Sequence, residues 1–196
     1  MEIEKRRVSG TLVSKSVFAL VLAFASAQSL AEAYVGATIG SYRYAEYGGF
    51  FLNFEPVLEV QGLMLGAHAG YAFNDWIGVE AAFQNYSSAS DKGDNGDVLE
   101  LQGDSLGLYL RPSMQVGKGM EAFLKLGVAK WNVKSSLQRT PLNTEDAKDT
   151  GTDFAWALGL RLRAHENWSV SGEVGGIEGS GVADLATFSF SMGYHF

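Results

Sequence analysis

Hydrophobic and polar residues alternate with a period of two along eight segments of the chain, the signature of strands with one apolar and one polar face. One of the clearest lies at about Val60–Phe73. There Leu63, Leu65, Ala67, Ala69, Tyr71 and Phe73 share a face, and Gly62, Met64, Gly66, His68 and Gly70 share the other. Another lies at about Asp184–Phe196, where Phe188, Phe190, Met192, Tyr194 and Phe196 oppose Thr187, Ser189, Ser191, Gly193 and His195. The rest fall at about Tyr34–Tyr42, Trp76–Ser87, Glu100–Val116, Glu121–Lys134, Thr152–Arg163 and Trp168–Ile177, the last weakened by Gly172 and Gly176. Each apolar face runs roughly nine to eleven residues, the length a tilted strand needs to cross a hydrocarbon layer.

The links between these segments alternate between long and short. Short links are Asn74-Asp75, Gly117–Met120 and Ala164–Asn167, all of turn-forming composition. Long links follow the first, third and fifth segments, at about seventeen, twelve and seventeen residues, with about six after the seventh. An up-and-down barrel produces this parity, because odd and even links emerge at opposite ends. Outer-membrane barrels keep short turns on one side and long loops on the other. A soluble lipocalin-like barrel has the same strand count, and alternation alone does not say which face is inward.

The first 33 residues change the picture. Lys5, Arg6, Arg7 and Lys15 precede an apolar stretch, Ser16–Ala27, whose longest unbroken run is nine residues. That suits an export signal and is too short to span a bilayer. Ala31-Glu32-Ala33 offers a cleavage site before Tyr34, with Ala25-Ser26-Ala27 as a second candidate. The expectation is a cleaved signal over 1–33 and a barrel over 34–196. The chain has no cysteine, which excludes a disulfide scaffold and a thiol nucleophile, and its net charge of −7 argues against nucleic acid. All four tryptophans fall near predicted strand ends: Trp76 and Trp168 at the short-turn end, Trp131 and Trp156 near the long-loop end. That is where an aromatic interface girdle belongs; ordinary core positions are the alternative.

Three stretches resemble the small OmpA-like outer-membrane barrels, the porin-family β-barrel domains. They are Tyr34–Gly40 (YVGATIG), Gly70–Glu80 (GYAFNDWIGVE), and the last strand with Phe188, Phe190, Tyr194 and a terminal Phe196. The resemblance implies an eight-stranded antiparallel up-and-down transmembrane β-barrel, all-β, in the Gram-negative outer membrane. It implies outer-membrane lipid and lipopolysaccharide as surroundings. It also implies recognition of the aromatic last strand by the barrel-assembly machinery. Full-length relatives carry a peptidoglycan-binding domain after the barrel; this sequence ends at the last strand, so that activity is not carried over.

Candidate chemistry is sparse. The three histidines are His68 on a polar face, His165 in a short turn and His195 beside the last residue; none sits in a long loop, and no His-x-Ser follows a strand. No enzyme and no cofactor are expected. Asp91, Asp94 and Asp97 recur among glycines, a weak calcium candidate beside the simpler reading of a solvated loop tip. Counting up from the short-turn end puts His68, Glu80, Arg111, Lys125, Arg161 and Glu173 at one height on the polar faces. They are expected to form a layer inside the barrel, Glu80 paired with Arg111 and Arg161 with Glu173, Lys125 between them; separate solvated side chains are the alternative. Eight strands leave an interior that side chains fill. The expectation is a plugged, monomeric, non-enzymatic barrel. A narrow diffusion channel is one alternative. Another is an adhesin acting through loops 1 and 3, the first of which is rich in aromatics (Tyr44, Tyr47, Phe50, Phe51, Phe54).

Overall fold

The computed structural model describes residues 32–46, 58–92, 98–139, 143–178 and 183–196. The strands are β1 (Glu32–Glu46), β2 (Leu58–Asn74), β3 (Ile77–Lys92), β4 (Val98–Gly117), β5 (Met120–Arg139), β6 (Asn143–Arg163), β7 (Trp168–Glu178) and β8 (Ala183–His195). Each pairs antiparallel with its neighbour in sequence, and β8 pairs with β1 to close an eight-stranded up-and-down barrel. A closed barrel is one of two ways a backbone crosses hydrocarbon with its amides paired.

Burial is inverted relative to a soluble protein. Leu108 is 62% exposed, Leu158 54% and Phe190 58%, all on the outer face, while Glu80 is 1% and Arg111 2% exposed inside. A ligand-binding barrel in water would need the opposite arrangement, because exposed leucine and phenylalanine rows face solvent at a cost and buried charges need partners. The lipocalin-like alternative therefore fails on the outward face.

The short turns form as their residues suggest. Asn74 Oδ1 accepts hydrogen bonds from the amides of Trp76 and Ile77, both at 3.0 Å, so a side chain replaces a backbone acceptor around the bend. Lys118-Gly119 turns between β4 and β5 with Gly119 at φ 72°, a conformation glycine adopts without a Cβ clash.

The opposite end differs from expectation. Links of about twelve and seventeen residues were expected after the third and fifth strands. Instead β3 runs to Lys92 and β4 starts at Val98, and β5 runs to Arg139 and β6 starts at Asn143. The pairing of β5 with β6 continues to Arg139↔Asn143. The extra length is strand. These extensions, such as Ser135-Ser136 and Asp149-Thr150-Gly151, have no apolar outer face, so period-two alternation does not reveal them. Here the sheet also splits. β2 loses β3 beyond Met64↔Tyr86, and β6 gains β7 only from Phe154↔Glu178 inward. Tyr44 of the expected first loop belongs to β1 and packs against the inner cluster around Tyr42. Tyr47, Phe50, Phe51 and Phe54 lie outside the described residues.

Candidate functional site in the barrel lumen

The lumen is filled in tiers, beginning at the short-turn end. Glu32, the first residue of β1, pairs with Arg163 at the end of β6 and lies 3.2 Å from His195 Nδ1. His195 Nε2 lies 2.8 Å from Ser169 Oγ, and its ring stacks on Tyr34 at 5.4 Å. Serine, imidazole and carboxylate here follow the order of a hydrolase triad. Ser169, however, is 3% exposed, and a methyl group added at Gly193 would sit 3.0 Å from its Oγ. A nucleophile needs room for a substrate beside it, and this hydroxyl is packed in.

The next tier is ionic. Lys125 Nζ lies 2.7 Å from Glu80 Oε1 and 2.6 Å from Glu173 Oε2, so one cation bridges two carboxylates on β3 and β7. The Tyr34 hydroxyl donates to Glu80 Oε2 at 2.7 Å, and Ser189 donates to Glu173 Oε1 at 3.4 Å. Arg111 reaches Glu80 at 3.9 Å and Glu121 more closely, at 2.8 Å. Three cations (Arg111, Lys125, Arg161) face three carboxylates (Glu80, Glu121, Glu173), which gives a formally neutral layer. Arg161 does not pair with Glu173 among the described contacts. Its guanidinium lies 4.5 Å from the Tyr34 ring centre, and Arg111 lies 4.3 Å from that of Phe123. Aromatic faces attract such desolvated cations. The Tyr34 ring reaches this position because Gly70 opposite it has no side chain: a methyl there would collide with the phenol. Lys125 therefore has the carboxylate that the residue count assigned to Arg161. The lysine lies directly between the two acids, and the arginine is held by two rings instead.

Above the ions, His68 lies 3.2 Å from Thr38, which also bonds Ser191 at 2.8 Å. His68 thus stands one tier above the ion cluster rather than within it. A cavity of about 30 Å³ touches His68, Glu80, Lys125, Glu173, Tyr109 and Ser189, room for only a water or two. Higher still the filling is apolar. Tyr109, Ala129, Ala155 and Ile177 form one buried cluster, and Tyr42, Val60, Met64, Tyr86 and Leu101 another. The Tyr42 and Tyr86 rings meet edge to face at 5.2 Å. The Tyr86 hydroxyl bonds Gln84 at 2.8 Å and lies 3.0 Å from Ser105.

Tyr34, Glu121, Phe123 and the apolar tiers were not among the residues expected to act in the lumen. Strand parity was available to find all three named residues: Tyr34 shares an inner face with Thr38, and Glu121 and Phe123 share one with Lys125. Trp131 is the converse case. Expected in the interface girdle, it lies on the inner face of β5, two residues beyond buried Ala129, and donates its indole N–H to Asp153 Oδ2 at 2.6 Å. Neither its expected place near a strand end nor its expected face holds: β5 continues to Arg139, and odd residues of β5 point inward. Trp76 and Trp168 are exposed at the short-turn end, with Trp168 edge-on to Tyr194 at 5.1 Å. Trp156 shares the outer face of β6 with Phe154 and Leu158. Phe188 and Phe190 are exposed on the outer face of β8, and Tyr194 and Phe196 pack edge to face at 5.2 Å. Asp94 and Asp97, and the side chain of Asp91, lie outside the described residues.

This architecture recurs in solved structures. The attachment invasion locus protein Ail of Yersinia pestis, in complex with the heparin analogue sucrose octasulfate, is 17% identical with a TM-score of 0.56, over 86% of this chain and all of that one. Neisserial surface protein A is 14% identical with a TM-score of 0.56, over 84% of this chain and 97% of that one. OprG of Pseudomonas aeruginosa is 14% identical with a TM-score of 0.52, over 86% and 97%. No curated protein matches the sequence. At these identities the structures speak to the fold alone. The sequence itself matches the outer membrane protein β-barrel domain over residues 16–196, and the chain belongs to that family.

Proposed function

We propose that the protein is a non-enzymatic, monomeric barrel of the bacterial outer membrane, closed to free diffusion, whose role is structural or carried by its projecting hairpins. The observation that carries the closed lumen is its filling: a neutral layer built on Glu80–Lys125–Glu173, under two apolar clusters. An ionic layer without apolar packing above it would be the easier one to hydrate. The narrow-channel alternative needs a continuous wet path, and the filled lumen opposes it. Steady conductance in planar bilayers tests the point: the protein is expected to give no open-pore current, and a sustained aqueous pore would overturn the reading.

The outer face supports contact with lipid and lipopolysaccharide. Lys130, Lys134 and Lys148 are exposed on the outward side of β5 and β6, beyond the row Leu124, Leu126 and Val128, with Lys134 directly opposite Lys148. Like charges facing across a ladder destabilise one another unless anions lie near, and lipid phosphates supply them. The barrel-assembly role of Phe188, Phe190, Tyr194 and Phe196 rests on the resemblance and on their shared outward row. One observation favours a second reading, surface contact: the β5–β6 hairpin extends eleven residues of β6, from Asn143 to Asp153, past its pairing with β7.

A further inference from the structure

The lower mouth of the barrel depends on two residues that a cut after Ala33 would remove. Glu32 pairs with Ala72 and Ala33 with Tyr71 on β2. The Ala33 carbonyl accepts the amide of Phe196 at 3.0 Å, closing the bottom of the β1–β8 seam. The Glu32 carboxylate holds Arg163 and lies 3.2 Å from His195. A chain starting at Tyr34 would lose both rungs and leave the Phe196 amide without this partner. It would also lose the Glu32 carboxylate, and with it the ion pair to Arg163 and the contact with His195.

Immediately before Glu32 the sequence reads Ser29-Leu30-Ala31, small residues at the two positions a signal peptidase inspects. We infer that processing occurs after Ala31, so the mature protein begins at Glu32, whose carboxylate is a structural part of the barrel mouth. This rests on the N-terminal segment being an export signal. A cut after Ala33 would remove Glu32 and its contacts with Arg163 and His195, whereas this one keeps Glu32 as the first residue of the mature chain.

The test is the intact mass and N-terminal sequence of the protein extracted from the outer-membrane fraction of its host. A first residue of Glu32 is expected. A first residue of Tyr34 or Gln28 overturns the assignment. A chain recovered whole from Met1 overturns the export-signal reading as well, and so separates the two failures. A second measurement bears on the reason given. Chains refolded into lipid from Glu32 onward and from Tyr34 onward are compared by urea unfolding, with Glu32→Gln alongside. The Tyr34 chain and the Glu32→Gln chain are both expected to unfold at lower urea; three coincident curves would overturn the structural role of the carboxylate.

Discussion

Leu101 and Leu108 are both on β4, seven residues apart, yet the first is 4% and the second 62% exposed. The difference divides the barrel into two regions. Around Leu108 the outer face is apolar and the inner face carries the ions. Around Leu101 the arrangement is that of a water-soluble protein, with Tyr42, Val60, Met64 and Leu101 packed inside and Gln61, Gln102 and Lys134 outside. The hydrophobic effect sorts side chains by the solvent beyond the wall, not by the inside of the fold. Along β4 the apolar residues switch parity between the two regions: Leu99 and Leu101 are odd, and Leu106, Leu108 and Leu110 are even. β3 makes a comparable change with a bulge between Tyr86 and Ala89, where the Tyr42 hydroxyl donates to the Ser87 carbonyl at 2.7 Å. The parity switch marks the height at which hydrocarbon gives way to water.

The two regions should respond differently to loss of an inner side chain, and the largest effect is expected at Lys125. Lys125→Ala leaves Glu80 and Glu173 buried without their shared cation, at a cost of about 3–5 kcal/mol. Urea unfolding of the barrel refolded in lipid measures it. Removing the acids as well, in a Lys125→Ala, Glu80→Gln, Glu173→Gln chain, is expected to restore much of the loss. If the single and triple changes cost the same, the tier is a set of separately solvated groups. On the outer face the region should matter more than the residue type. Leu108→Arg puts a cation among acyl chains and should cost about 2–4 kcal/mol in the same assay. A negligible cost there would move the hydrocarbon boundary below Leu108.

Much of this was legible in the sequence, because alternation reports one physical fact well: a strand with different surroundings on its two sides. It located eight strands, the short turns and the inward direction of Glu80, Arg111, Lys125, Arg161 and Glu173. It did not report partners. Glu173 pairs with Lys125 rather than Arg161 because the Tyr34 and Phe123 rings hold Arg161, and ring placement depends on cross-barrel geometry that spacing does not encode. It also failed above the hydrocarbon. The hairpin extensions have no apolar outer row, so they read as loops. Trp131 resembles a girdle residue by its distance from the turn, while its parity with Lys125 places it on the inner face. The parity switch in β4 is present in the sequence, but a single alternation phase per strand does not express it.

The smallest expected effect is the most discriminating. Gln102 is on the same outward face of β4 as Leu108, and it is exposed opposite Lys134 of β5. If the wall there meets water, Gln102→Arg exchanges one solvated side chain for another and should change stability by no more than about 0.5 kcal/mol. The added charge beside Lys134 is screened at ordinary salt, so raising ionic strength should remove any small loss. The intervening outward residue Asp104, which accepts a hydrogen bond from Asn132 at 2.9 Å, already shows polar groups satisfied against one another on the outer wall at an intermediate height. Arginine placed in turn at 108, 106 and 102 should therefore give a cost that falls steeply toward Gln102. A cost at Gln102 equal to that at Leu108 would mean that hydrocarbon reaches the height of Leu101, and the division of the barrel into two regions would fail.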